Sequence, residues 1–138
     1  MVTDHFSSKG PLSALYTGLE FATAQFNFVV ACDMPFLNPE IVKALAKSIT
    51  GFDAVVPSIY GEIQPLHAVY SRTCRDVALP LALSGKGIRH MLRALKTKYV
   101  FQDEIEILDP TLFSFFSVDS PLDLKTAEKH LNDTRLSL

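Results

Sequence analysis

Apolar and polar positions change their spacing several times along this chain, and each change marks an element. Phe26, Phe28, Val29, Val30, Ala31 and Cys32 form an almost unbroken apolar run rich in aromatic and β-branched residues, as a strand covered on both faces does. The run stops at Asp33, and Pro35 cannot continue a ladder. Upstream, Leu12, Leu15, Tyr16, Leu19 and Phe21/Ala22 recur at helical spacing and predict a helix from about Ser13 to Ala24, entered through Gly10-Pro11. Downstream, Asn38 and Pro39 supply an N-cap and a first-turn proline for a helix to about Ile49, with Ile41, Val42, Leu45, Ala46 and Ile49 inward.

Period-two alternation then returns. Asp53 to Ile59 reads as a strand with Pro57 at its edge or end, Tyr60-Gly61-Glu62 as a turn, and Gln64 to Tyr70 as a second strand. In that second strand Leu66, Ala68 and Tyr70 fall on one face, Pro65, His67 and Val69 on the other. The pair is expected to form an antiparallel ribbon beside the ligand face. Arg72 to Leu83 reads as a helix, Ser84 to Gly87 as a break, and Ile88 to Lys96 as a basic helix. Tyr99 to Gln102 is a short strand, Asp103 to Asp109 an acidic loop, and Phe113 to Val118 a last strand. Ser120 to Asp123 is a capping-box pattern that opens a closing helix to about Asn132. Strands alternating with helices predict an α/β layered fold.

Composition narrows the function. One domain of 138 residues with 48% apolar content is large enough to bury its own core. A net charge of -2 and a pI near 6.0, with no long basic run, argue against nucleic acid or an anionic membrane surface as partner. The polar opening residues carry no secretory signal pattern, and no apolar run is long enough to span a bilayer. The two cysteines, Cys32 and Cys74, show neither metal spacing nor a disulfide framework, which suits a reducing cytoplasm. Met1 to Asp4 resembles the tail of a strand, so the chain is expected to begin partway into a larger fold.

The chemistry concentrates where strands end. Asp33 closes the apolar central strand, the edge at which open α/β sheets bind ligands, and its carboxylate suits a hard cation such as magnesium; a turn cap is the alternative. Asp119 ends another apolar run just before a proline, and Asp4 lies near the same expected edge. His67 and His90 lack serine-acid or metal-ligand patterns and read as structural. Lys86, Arg89 and Arg93 form one basic helix face, either solvated or a phosphate clamp. Gly85 and Gly87 do not have the spacing of a phosphate loop.

Taken in order, GPLSALYTGL (10–19), ACDMPFLNP (31–39), DAVVP (53–57), QPLHAVY (64–70) and FFSVDSPLDL (115–124) resemble the molybdenum cofactor guanylyltransferases, across essentially the whole chain. The resemblance implies a Rossmann-like nucleotidyltransferase: a three-layer sandwich with a mostly parallel central sheet, represented by its carboxy-terminal two thirds. It implies transfer of GMP from GTP to molybdenum-bearing molybdopterin with release of pyrophosphate and with magnesium as cofactor. It gives Asp33 the catalytic, metal-binding role, joined by Asp119. Asp4, Gly10, Pro11 and Leu12, with Asp33, would contact GTP. Gln64, His67, Lys86 and Arg89 are candidates for the acceptor side. Transient contacts with other proteins of cofactor assembly are also implied.

The chain departs from the family pattern in three places. The family's opening strand, its glycine-rich phosphate loop and the following arginine and lysine have no counterpart in these 138 residues. Ala14 replaces a usual glycine, adding a methyl group near the expected nucleotide wall, and Ser117 to Pro121 replaces an asparagine-rich stretch. A relative using another nucleotide or acceptor, and a catalytically silent binding remnant, are the competing readings.

Overall fold

The computed structural model describes residues 2–3, 11–31, 34 and 36–116. Asp4, Gly10, Cys32, Asp33, Asp119 and the expected closing helix lie outside those residues.

The chain order is β1 (Val2–Thr3), α1 (Pro11–Glu20), β2 (Phe26–Val30), α2 (Pro39–Lys47), β3 (Ala54–Ile59), β4 (Glu62–Ile63), β5 (His67–Ser71), α3 (Cys74–Leu83), α4 (Ile88–Ala94), β6 (Thr97–Phe101) and α5 (Gln102–Leu108), then a 3-10 turn at Phe113–Phe115. The strands form a single six-stranded sheet. β1 lies parallel to β2, and β6 parallel to β3. β5 is antiparallel to both β2 and β3, and so is inserted at the centre of the sheet rather than beside it. The expected antiparallel pairing of β3 with β5 is present, as an internal seam of the sheet. Pro57 sits inside β3, at the junction where β3 stops pairing with β5 and starts pairing with β4. A proline is tolerated there because no β5 ladder bond is asked of it.

Alternation along the strands builds two cores, one on each face. Val29, Ala54, Val56, Ala68 and Tyr70 meet Leu12, Leu15 and Leu19 of α1, Ala78 of α3, and Ile88, Met91 and Leu92 of α4. On the other face Phe28, Val30, Val55 and Val69 meet Ile41 and Leu45 of α2 and Ile105 of α5. The result is helices on both faces of one sheet, a three-layer α/β arrangement. α2 is stopped at its start by Asn38, whose side chain accepts the Glu40 amide at 2.9 Å. The same side chain donates to the Leu108 carbonyl, 3.2 Å away, and so ties α2 to α5.

Two segments differ from the sequence expectation. Residues 102–108, expected as part of a strand end and a loop, form α5: acidic Asp103 and Glu104 occupy its first turn, and Gln102 bonds Glu106 one turn on at 2.7 Å. The helix was hidden because Ile105 is its only buried residue. The aromatic run from Phe113, expected as a strand, is a 3-10 turn instead. Asp109 holds it, accepting from the Ser114 amide at 2.9 Å and the Ser114 hydroxyl at 2.6 Å.

Candidate active site

The carboxyl end of β2 meets the amino end of β5. The Ala31 amide donates to the Leu66 carbonyl at 2.9 Å, and the Met34 amide to the Ala31 carbonyl at 3.3 Å, so the described residues flanking position 33 are fixed against β5. His67, fully buried, places Nδ1 3.3 Å from the Met34 sulfur. Its ring lies edge-on to Phe28 and 4.2 Å from the Phe115 ring. Burial pushes its pKa down to about 4, against a weaker upward pull from Asp109. The imidazole is therefore neutral, and Nε2 has no partner among the described residues. Behind it, the Tyr70 hydroxyl donates to the Pro65 carbonyl at 2.6 Å and pins the loop that carries Gln64.

A cleft of about 410 Å³ opens beside this edge, lined by Ile59, Tyr60, Glu62, Gln64, Thr111, Leu112, Phe113, Phe115 and Phe116. One wall is the β3–β4 turn. Tyr60 and Gly61 both have positive φ, 52° and 76°, as a tight two-residue hairpin requires. The Gln102 side chain accepts the Tyr60 amide at 2.7 Å and helps to hold that turn. The other wall is aromatic: Phe113 and Phe116 are stacked with centroids 5.0 Å apart, and Phe36 meets Phe113 edge-on at 4.9 Å.

A second pocket, about 230 Å³, lies where Pro11, Leu12 and Ser13 at the start of α1 meet Ala82, Gly85, Lys86 and Gly87 between α3 and α4. A lysine lining a pocket beside the first turn of a helix favours anionic ligands. Ala14 is buried and does not line this pocket.

The expected site residues thus separate. Pro11, Leu12 and Lys86 line one pocket, and Gln64 lines the other. His67 is enclosed in the core and packs on Phe115 of the Gln64 cleft, whereas Arg89 is exposed on α4; Lys86 precedes that helix, so the expected single helix face of Lys86, Arg89 and Arg93 does not form. Asp4, Gly10, Asp33 and Asp119 fall outside the described residues, among which no group of three metal-binding side chains converges. Sequence reasoning missed Tyr60, Glu62, Leu112, Phe113 and Phe116; the Tyr-Gly dipeptide marked a turn, but nothing marked it as a cleft wall. Cys74 is buried, with its thiol pushed up to about 11 by that burial, and so is a structural, unreactive group.

Residues 1–99 match the MobA-like NTP transferase domain. The chain is 31% identical to a molybdenum cofactor guanylyltransferase of Desulfosudis oleivorans, over 99% of this chain and 69% of that protein. It also superimposes on molybdopterin-guanine dinucleotide biosynthesis protein A from Archaeoglobus fulgidus with a TM-score of 0.78 and 30% identity, over 90% of this chain and 64% of that one. The chain therefore spans about two thirds of the length of these relatives. No helix among the described residues is long and apolar enough to cross a membrane.

Proposed function

Since this chain belongs to the MobA-like NTP transferase domain family, we propose that it carries the guanylyl-transfer reaction for which its relative is named, moving GMP from GTP to molybdenum-bearing molybdopterin. The observation that carries the reading is a pair of pockets lined from opposite layers of the sheet. One is lined by Leu12 from one core layer, the other by Ile59 and Leu112 from the opposite layer. Two substrates approaching from the two faces of a sheet can meet at a strand end between them.

In this reading Pro11 and Leu12, with Gly10 and Asp4, receive the guanosine, and Lys86 serves the nucleotide pocket that it lines rather than the acceptor. Gln64 belongs to the acceptor side. Arg89, the second residue of α4, follows Lys86 by three positions and adds a further positive charge there. His67, neutral and enclosed, positions Met34 and Phe115 and does not touch substrate. Asp33 and Asp119 offer the oxygen donors that magnesium prefers, and the metal would supply charge neutralisation at the phosphates.

The transfer is an in-line displacement. An oxygen of the acceptor's terminal phosphate forms a bond to the α-phosphorus of GTP as the bond from that phosphorus to the bridging oxygen breaks. Pyrophosphate leaves with the electron pair. No protein nucleophile is needed, and positioning and charge stabilisation do the work. The test is a single-turnover assay with α-labelled GTP, magnesium and molybdenum-loaded molybdopterin. Label should pass to the acceptor with the wild-type chain and not with Asp33→Asn. A folded wild-type chain that leaves all label in GTP would refute the reading for this chain.

A further inference from the structure

We propose that the outer edge of β6 pairs two copies of this chain, antiparallel about a two-fold axis, and so joins their sheets into one. No residue of β6 lines either pocket, so this surface is independent of the transfer reading.

β6 pairs with β3 and with no other strand among the described residues, which leaves its far side without a ladder. Lys96, just before the strand, turns its backbone to β3: its carbonyl accepts from the Asp53 amide at 2.8 Å, and its amide donates to the Asp53 carboxylate at 2.9 Å. Backbone groups of alternate residues point to opposite sides of a strand, so Lys98 and Val100 also face β3, and Thr97, Tyr99 and Phe101 face outward. Outward edge groups of this kind are a template for a further strand. Tyr99 is 37% and Phe101 61% exposed, apolar surface that aromatic cross-strand pairs would cover.

The charges along this edge decide which strand fits it. Lys96 and Lys98 mark its beginning, with ammonium groups 5.5 and 5.8 Å from the centroid of the Phe52 ring, and neither forms an ion pair with a described carboxylate. Asp103 and Glu104 mark its end, exposed in the first turn of α5. Parallel pairing would set lysine against lysine. Antiparallel pairing centred on Tyr99 sets Lys98 opposite Val100 of the second copy, and Lys96 opposite its Gln102, beside its Asp103. In the same register Tyr99 meets its own counterpart and Phe101 meets Thr97.

A lysine on an edge strand ordinarily discourages pairing. Here a second copy brings the acids that answer it, at both ends of the ladder, because a two-fold interface uses each contact twice. A uniformly acidic strand would be repelled by Asp103 and Glu104, so a second copy fits this edge better than an acidic peptide does. A ladder of five residues buries less than the roughly 1,200 Å² at which stable interfaces begin, so the association is expected to be reversible.

The experiment is sedimentation velocity on the full chain across a roughly hundredfold range of concentration, with amide hydrogen exchange at both extremes. The mass should rise from one chain towards two, and the amides of Thr97, Tyr99 and Phe101 should exchange more slowly at the concentrated end. The double variants Lys96→Glu with Lys98→Glu, and Asp103→Lys with Glu104→Lys, should each stay monomeric. An equimolar mixture of the two should dimerise again, since one edge is then wholly acidic and the other wholly basic. Tyr99→Pro removes an outward N–H without touching the β3 ladder, and should abolish the dimer while circular dichroism stays that of the wild type. A wild-type chain that is monomeric at every concentration would overturn the proposal. So would a dimer that survives the charge variants and Tyr99→Pro, or a mixture of the charge variants that stays monomeric. Slow exchange of the three outward amides at every dilution would assign the edge to residues 117–138 of the same chain and overturn it equally.

Discussion

Protonating His67 should destabilise this protein, and the size of the effect follows from its surroundings. The ring is fully buried between Phe28, Phe115 and Met34, and that burial lowers its pKa from 6.5 to about 4. In the unfolded chain the histidine binds a proton more readily than in the fold. Its contribution to stability is therefore fully present above pH 6.5 and is lost as the pH falls towards 4. The whole shift corresponds to about 3 kcal/mol, of which about 2 kcal/mol is lost by pH 5. The assay is urea unfolding at pH 7.5 and pH 5.0, for the wild type and for His67→Leu. Leucine removes the titrating group, and with it an Nε2 that has no partner among the described residues, so stability at pH 7.5 should change by no more than about 1 kcal/mol. Carboxylates and the other histidines contribute alike to both proteins and cancel. The wild type should lose about 2 kcal/mol more than the variant between the two pH values. Equal losses would refute the neutral, buried assignment of His67.

Other substitutions probe separate parts of the account. Tyr60→Asn should raise the urea midpoint, gaining about 1 kcal/mol because asparagine tolerates the left-handed turn position better than tyrosine; a destabilised variant would contradict that reasoning. Tyr70→Phe leaves the Pro65 carbonyl without its 2.6 Å donor and should lower stability by about 1 to 2 kcal/mol, measured by thermal unfolding. Asp109→Ala removes the one carboxylate oxygen that accepts both Ser114 hydrogen bonds and should speed amide exchange across residues 111–116 while leaving the sheet amides protected, which hydrogen exchange will report.

The layers were legible in the sequence because strand and helix periods are strong here. The apolar run of β2 marked a strand covered on both sides, and the alternation up to Tyr70 assigned faces to Ala68, Val69 and Tyr70 that the two cores bear out. Where β5 sits was not legible, since an antiparallel strand between two parallel ones leaves the same alternation as one at an edge. α5 escaped notice because one inward isoleucine makes no periodic stripe. The aromatic turn was mistaken for a strand because Phe favours strands, whereas its conformation is set by a side-chain acceptor at Asp109. The cleft was invisible for a related reason: its walls lie some fifty residues apart in sequence, and only the pairing of β3 with β4 and the packing of Leu112 and Phe115 bring them together.

The central claim is that nucleotide chemistry takes place at the end of β2, and calorimetric titration with GTP, with and without magnesium and with CTP and ATP as controls, tests it most directly. The account predicts magnesium-dependent binding selective for GTP, weakened by Lys86→Ala and deprived of its magnesium dependence by Asp33→Asn. A folded chain that binds none of the three nucleotides, or binds them without preference and without magnesium, would contradict it.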